Sequence, residues 1–236
     1  MPEGNYGSDE GIMISEFENE ILWQKQKSVD FDVYLFKACK NGMLRFLSHR
    51  EWISSVERTM RRAEFPLWMT KGFHPKIKLD LNRALPTGMS SSAEYFLVRF
   101  IRNEEDLDVA LRVDSFNRFS PDDLKISWGK KVFDTFSIHK FAKCWEFELT
   151  VQNVFSNDEI EDFFSSVPGS LIENKVTNED SLRYINYICT PEAWVDYRNL
   201  FERKFDTKYP DMTYLPKLKD VYWDYEKHLS LKDIFN

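Results

Sequence analysis

The chain has 236 residues, 42% of them hydrophobic and 16% aromatic, with 20 phenylalanines. That composition suits one large packed domain or two small ones and excludes an intrinsically disordered chain. The net charge is −7, yet residues 37–102 hold 13 Lys/Arg against 5 Asp/Glu, a net of +8 that leaves −15 elsewhere; such a basic island predicts an anionic partner rather than a particular fold.

In chain order, residues 1–30 read as a poorly ordered leader or a short docking helix, Ile12 to Gln26. Val33 to Cys39 alternates and is aromatic, which predicts a strand. Lys40-Asn41-Gly42 is a turn signal, after which Met43 to Leu47 is expected to resume the strand or form its hairpin partner. Ser48-His49-Arg50-Glu51 has the spacing of a capping box, so a helix should start there and run to about Glu64, stopped by Pro66. At 100° per residue Trp52, Ile53, Val56, Met60 and Ala63 share one side, and Arg50, Ser54, Glu57, Arg58, Arg61 and Arg62 share the other;.

Lys71-Gly72-Phe73-His74-Pro75 reads as a loop. Ile77, Leu79 and Leu81 alternate with Lys76, Lys78 and Asp80, a half-buried strand with a partly basic outer face. Arg83 to Ser92 is a loop, Ala93 to Ile101 a strand, Glu104 to Val113 a helix with acids in its first turn, and Leu124 to Trp128 a short strand. Gly72 and Gly88 are read as positions needing positive φ, and Pro66, Pro75 and Pro86 as rigid turns.

That order is β-α-β-β-α-β, the ferredoxin-like arrangement. The second half repeats it: a strand at Phe141–Gln152, a helix at Asn157–Ser166, a turn at Pro168-Gly169, strands at Leu171–Val176 and Leu182–Cys189, and a helix at Pro191–Phe205. The expected fold is therefore α+β, two ferredoxin-like halves in tandem. The divisions are 1–30 as leader, 31–130 as the basic first half, 131–205 as the second half, and 206–236 as an acidic, aromatic tail.

Several chemistries lack any signature. The chain has no phosphate-cradling glycine loop and no dinucleotide fingerprint. It has no H-E-x-x-H, no nucleophile elbow and no cysteine triad for an iron–sulfur cluster, so neither a cofactor nor a metal site is expected. Cys39, Cys144 and Cys189 are odd in number and far apart, each among apolar neighbours, and are read as buried reduced thiols. No run approaches the ~20 apolar residues of a membrane span, and Met1–Glu20 lacks the basic and apolar regions of a signal peptide. A soluble cytoplasmic protein without a membrane partner is the expectation.

Candidate site residues concentrate in the island. Arginine suits phosphate because its planar fork donates two parallel hydrogen bonds. The Arg50/Arg58/Arg61/Arg62 face, followed by Lys71, Lys76, Lys78 and Arg83, is therefore expected to bind an anionic ligand. His49 stands beside the N-terminal N–H groups of the helix, and His74 in the loop. Were that loop to fold over the helix start, both imidazoles and Arg45 would converge, an arrangement fit for acid–base chemistry on RNA; separately, each histidine is more simply a capping or loop residue. His139 and His228 have no supporting neighbours. Glu57 and Glu94 are read as ion-pair partners of nearby arginines.

Arg45-Phe46-Leu47-Ser48-His49, Glu57-Arg58, Arg61-Arg62-Ala63, Pro66-Leu67, Gly72-Phe73, Pro75, Ala84-Leu85-Pro86 with Gly88, and Ala93-Glu94-Tyr95 occur in that order. Over roughly residues 33–102 this resembles the radical SAM-linked protein family, a bacterial domain of unknown function. Its members look like R-F-L-S-H, E-R-A-x-R-R-A, L-P, G-F-N-P-H-P, A-L-P-x-G and E-Y. The family's domain is often fused to or encoded beside a radical SAM enzyme, and its genes neighbour those of an E/G-type ribonuclease and ribosomal proteins. The resemblance thus implies an RNA- or translation-linked accessory role. This chain departs from the pattern in the loop, where Pro75-Lys76-Ile77 replaces Pro-His-Pro and the histidine, His74, lies two positions earlier.

Three functions follow as expectations. The first is a non-enzymatic module gripping RNA or tRNA in connection with a radical SAM enzyme. The second is a protein–protein docking subunit of that enzyme. The third is an RNA-acting enzyme centred on His49 and Arg45, ranked last because no catalytic motif is recognisable.

Overall fold

The computed structural model describes residues 30–102, 107–152, 154, 156–166, 171–179, 182–190, 203–205, 208, 214–224 and 226–235. The expected leader and its helix at 12–26, the acids at 104–105, the turn at 168–169, and most of the expected 191–205 helix lie outside the described residues.

The first strand, β1 (Phe31–Lys40), alternates aromatic and aliphatic residues that are buried on both sides. Two residues past its end comes Gly42, whose φ of +46° suits a residue without a Cβ;. The following Gly42–Phe46 is a 3-10 turn and not the expected strand. The Asp123 side chain accepts from the Met43 backbone N–H at 3.2 Å, and the Asp123 carbonyl accepts from that of Asn41 at 3.0 Å. These bonds pull the chain into a turn.

Helix α1 (His49–Arg62) follows, capped at Ser48 as its sequence predicts. Its stop is set before Pro66. Glu64 adopts a left-handed φ of 55°, the Phe65 N–H reaches the Met60 carbonyl, and the Glu64 N–H reaches that of Arg61. This is a Schellman closure, anchored because Met60 and Phe65 are buried in the same apolar cluster.

The remaining elements are β2 (Leu79–Leu81), β3 (Ser90–Ile101), α2 (Val109–Phe119) and β4 (Ile126–Val132). After them come a one-turn α3 (Ile138–Phe141), β5 (Cys144–Gln152), α4 (Asn157–Ser166), β6 (Leu171–Glu179) and β7 (Leu182–Cys189). The chain finishes with β8 (Leu215–Asp224), β9 (Leu229–Ser230) and a 3-10 turn at Leu231–Phe235. Helix α2 starts at Val109 and is capped by Asp108, whose side chain accepts from the Leu111 N–H. The fold is mixed α/β. Among the described residues there is one nine-stranded sheet of order β4-β1-β3-β8-β5-β7-β6, with β2 on β3 and β9 on β8. Neighbouring strands are antiparallel, except β3 and β8, which meet in parallel over Ser90–Ser91 and Lys217–Leu218 alone.

Each sheet face buries its own apolar set. Helices α1 and α2 cover Tyr34, Phe36, Phe96, Val98 and Phe100, with Trp52, Val56, Met60 and Phe116 interleaved. The other face, with Val33, Leu35, Tyr95 and Leu97, continues into Trp145, Phe147 and Leu149 of the second strand group. Phe136, packed on Phe141 at 4.9 Å and Phe235 at 5.0 Å, joins this second core. The narrow β3–β8 contact is reinforced by a half-buried polar lock. Lys37 Nζ donates to Asp220 at 2.6 Å, and the Tyr95 hydroxyl donates to the other Asp220 oxygen at 3.1 Å.

All three cysteines are free. Cys144 and Cys189 are buried as expected, but Cys39 is half-buried, because its thiol engages the Asp123 carbonyl and Lys125 N–H near the sheet margin. Among the described residues no helix is long and apolar enough to cross a membrane.

Candidate functional site

The basic surface begins with α1. The Ser48 N–H and hydroxyl both donate to the Glu51 carboxylate, at 2.9 and 2.7 Å. The Ser48 hydroxyl accepts from the Glu51 N–H at 3.3 Å. These bonds hold the Glu51 carboxyl below its ordinary range;. Trp52, Val56, Thr59 and Met60 are buried, and the Thr59 hydroxyl is satisfied by the Ser55 carbonyl. That leaves Arg50, Arg58, Arg61 and Arg62 exposed on the opposite side, along a helix about 21 Å long. None of the four makes an ion pair with a described residue.

The second part is a finger. Residues 66–68 run beside β3, with Ile101 N–H donating to Pro66 and Trp68 N–H donating to Arg99. Leu79–Leu81 then takes up the same edge opposite Val98, Leu97 and Phe96. The edge is thus one line of chain interrupted by residues 69–78, which stand out from it. Met69 and Ile77 bridge at the base. The Thr70 N–H donates to the Lys76 carbonyl, and the Lys76 N–H to the Thr70 hydroxyl. Gly72, at φ +151°, turns the tip. Every residue from Lys71 to Lys76 is exposed, and Phe73 is 96% exposed. Among the described residues its ring meets that of His74 edge-on, at 5.3 Å. Lys76 and Lys78 make no ion pair with a described residue, while Lys71 lies 3.6 Å from Asp30. The sequence reading passed over Phe73; its signal was an aromatic residue in a loop flanked by Gly, Lys and His.

Arg45, His49 and His74 do not meet. His74 stands on the exposed finger tip. His49 is half-buried in the first turn of α1, where burial and then the Lys40 charge hold its imidazole below the ordinary value. Arg45 lies over the Phe46 ring at 4.7 Å, and its buried Nε has no hydrogen-bond partner. Arg83 is exposed just beyond β2.

Beneath this end of α1 lies a polar group that sequence reasoning missed. Lys40, 3% exposed, donates to the Leu47 carbonyl at 2.9 Å, and burial pushes its ammonium down. Glu94, 4% exposed, is pushed up to about 7 by burial, against the opposing pull of the Ser91 hydrogen bond and the Lys40 charge. Its buried neighbour is therefore a lysine and not the expected arginine, because the arginines of α1 all point to solvent. A sequence signal existed: a lysine closes an apolar strand, and a glutamate interrupts the apolar run Ala93–Val98. Enclosed on all sides, this pair cannot touch a macromolecular substrate. Among the described residues no group of three or more His, Cys, Asp or Glu could hold a metal ion.

Comparison with known proteins is informative at the family level. Two solved structures are similar at 10% identity. One is an unknown protein from Galdieria sulphuraria, covering 79% of this chain and 98% of its own at a TM-score of 0.25. The other is described as a candidate transcriptional repressor of the glycine cleavage system, covering 80% and 97% at 0.24. Likeness at that level carries no argument. No curated protein matches the chain. A family model matches residues 34–186, which take in the whole basic island and reach into β7 of the second strand group. The chain belongs to the family described as an uncharacterized protein conserved in bacteria, DUF2344.

Proposed function

We propose that this protein is a non-enzymatic RNA-gripping module. The α1 arginines and the finger lysines would neutralise backbone phosphates, and Phe73 would offer its ring to an unpaired base. Stacking on exposed aromatic rings and charge from arginine and lysine are the usual means of holding single-stranded RNA. The observation that carries the reading is that six exposed cations, Arg50, Arg58, Arg61, Arg62, Lys76 and Lys78, make no ion pair with any described residue in a chain of net charge −7. The test is binding of nuclease-treated protein to bulk tRNA followed by fluorescence anisotropy across a salt series. Each neutralised phosphate releases counterions, so affinity should fall by at least about tenfold between roughly 50 and 200 mM salt. Affinity that barely changes over that range rules the reading out.

The radical SAM link belongs to this proposal and rests on the motif resemblance. Docking onto such an enzyme is the second reading, favoured by the exposure of Met43 (75%) and Phe46 (50%) beside Arg45. Co-purification after nuclease treatment separates the two. Catalysis by His49 and Arg45 draws no support from His74, which stands apart. We also read the architecture as two ferredoxin-like units in tandem. Support comes from the strand orders β4-β1-β3-β2 and β8-β5-β7-β6, antiparallel throughout. A cytoplasmic home fits three free thiols;.

A further inference from the structure

The chain enters β1 beside the finger. The Arg102 N–H donates to the Asp30 carbonyl at 3.2 Å. The Asp30 carboxylate accepts from the Trp68 indole and faces Lys71 of the finger at 3.6 Å. Phe31 pairs with Ile101, and the Ile101 N–H donates to Pro66, where the chain starts toward the finger. The entry point is therefore two strand spacings, about 10 Å, from that chain. The segment that precedes Asp30 arrives at the finger's root.

The root carries an apolar patch. Directly opposite residues of an antiparallel pair share a face, so Ile101, 51% exposed, lies beside Phe31. Trp68 packs on Phe31 at 5.0 Å, and both rings are half-buried. Beyond the patch the finger presents Lys71, Phe73, Lys76 and Lys78, all exposed. Among the described residues, the finger's one ion pair is with Asp30, the residue nearest the segment in question.

Residues 1–29 complement this surface in kind. They hold six acids against two lysines, a net of −4. Three of the acids, Glu16, Glu18 and Glu20, stand among Ile14, Phe17 and Ile21. The segment thus joins negative charge to apolar bulk, as the finger and its root join positive charge to apolar surface. Reach fits as well. Glu20 lies ten residues before Asp30, about 15 Å along a helix and at most about 36 Å extended. Arms of about five residues put the finger tip about 17 Å from the sheet edge. A tethered segment also acts at an effective concentration of about millimolar, so weak contacts hold it.

We propose that residues 1–29 dock on the finger and its root as an acidic strap. The leader carboxylates pair with Lys71, Lys76 and Lys78, and its apolar residues cover Phe31, Trp68 and Ile101. RNA must displace the strap to reach the finger. That regulatory step rests on the RNA reading, whereas the docking does not.

Zero-length carbodiimide cross-linking of the dilute full chain tests the docking. Glu16, Glu18 or Glu20 should join Lys71, Lys76 or Lys78 within one chain, several-fold more often than Lys140 or Lys143, which are also exposed. Phe17→Ala/Ile21→Ala alters no charge and should remove that preference, which chance collision of a tethered segment would retain. Binding of bulk tRNA at about 50 mM salt tests the regulation. Glu16→Gln/Glu18→Gln/Glu20→Gln should bind several-fold tighter than wild type. Asp158→Asn/Glu161→Gln/Asp162→Asn makes the same change of charge at exposed positions of α4 and should gain far less. Docking is overturned if the finger lysines are not preferred, if Phe17→Ala/Ile21→Ala leaves the preference intact, or if the cross-links form only between chains. Regulation is overturned if the leader variant gains no more than the α4 variant. Failure of every one of these proteins to bind tRNA overturns the RNA reading and the regulation with it, and the cross-links then decide the docking by themselves.

Discussion

The two strand groups share one strand order but treat their outer strands differently. In the second group β6 runs unbroken beside β7 from Leu182 to Cys189, with one register shift. In the first group the corresponding edge of β3 is filled by two short pieces, residues 66–68 and Leu79–Leu81, with the finger thrown out between them. An edge strand contributes backbone pairing without closing a core, so it tolerates such an interruption. The comparison teaches that the same scaffold can carry either a closed edge or an exposed basic projection. It also shows that the projection rests on few structural interactions of its own.

The largest expected effect concerns what the first group buries. Glu94 has a folded-state value of about 7 against an ordinary 4.5. The native state therefore holds a proton that the unfolded chain has lost, and stability falls as pH rises from about 4.5 to about 7, by roughly 3 kcal/mol in all. His49, held low, works in the opposite sense below its ordinary value. The informative quantity is thus the difference between wild type and Glu94→Gln in urea unfolding at a series of pH values. The variant should lose the decline and gain stability at about pH 8; a decline of equal slope in both proteins would remove Glu94 as its source.

Next in size is the seam between the groups. Asp220→Ala leaves Lys37, 12% exposed at its side chain, without its carboxylate, and should cost about 2 kcal/mol. Tyr95→Phe, which removes only the hydroxyl, should cost about 1 kcal/mol. Equal and negligible losses would mean that the apolar core alone holds the groups together.

The finger should behave in the opposite way. Phe73→Ala is expected to change stability by less than about 0.5 kcal/mol yet weaken tRNA binding by about tenfold, the usual worth of one stacked base. A stability loss comparable to that of Asp220→Ala would make the finger a structural element. The smallest effect tests the end of α1. Glu64→Gly relieves a left-handed residue that carries a Cβ and should raise stability by up to about 1 kcal/mol. A loss on thermal unfolding would show that the Glu64 side chain supports the closure.

Much of the first group was legible from local pattern. The capping box at Ser48, the apolar stripe of Trp52, Val56 and Met60, and positive φ at Gly72 and Gly88 all occur as expected, because each depends on residues within a few positions of itself. The Met43–Leu47 strand failed because Asp123, far along the chain, supplies the bonds that shape that turn. The site divides the same way. The exposure of Arg50, Arg58, Arg61 and Arg62 follows from helical period alone. His139 looked isolated in sequence but lines a cleft, because residues of its facing wall lie 42 to 90 positions earlier in the chain.

The sequence by itself determined the basic island, the helix that displays it and the alternation of the strands, since charge count and periodicity are properties of neighbouring residues. Tertiary structure alone decided that His74 and His49 stay apart, that Lys40 and Glu94 share a buried site, and that Asn82 is held by Trp145 beside a cleft. Those outcomes depend on which strands pair and where a loop leaves the sheet. Long-range burial and hydrogen bonding set both, and no local pattern encodes them.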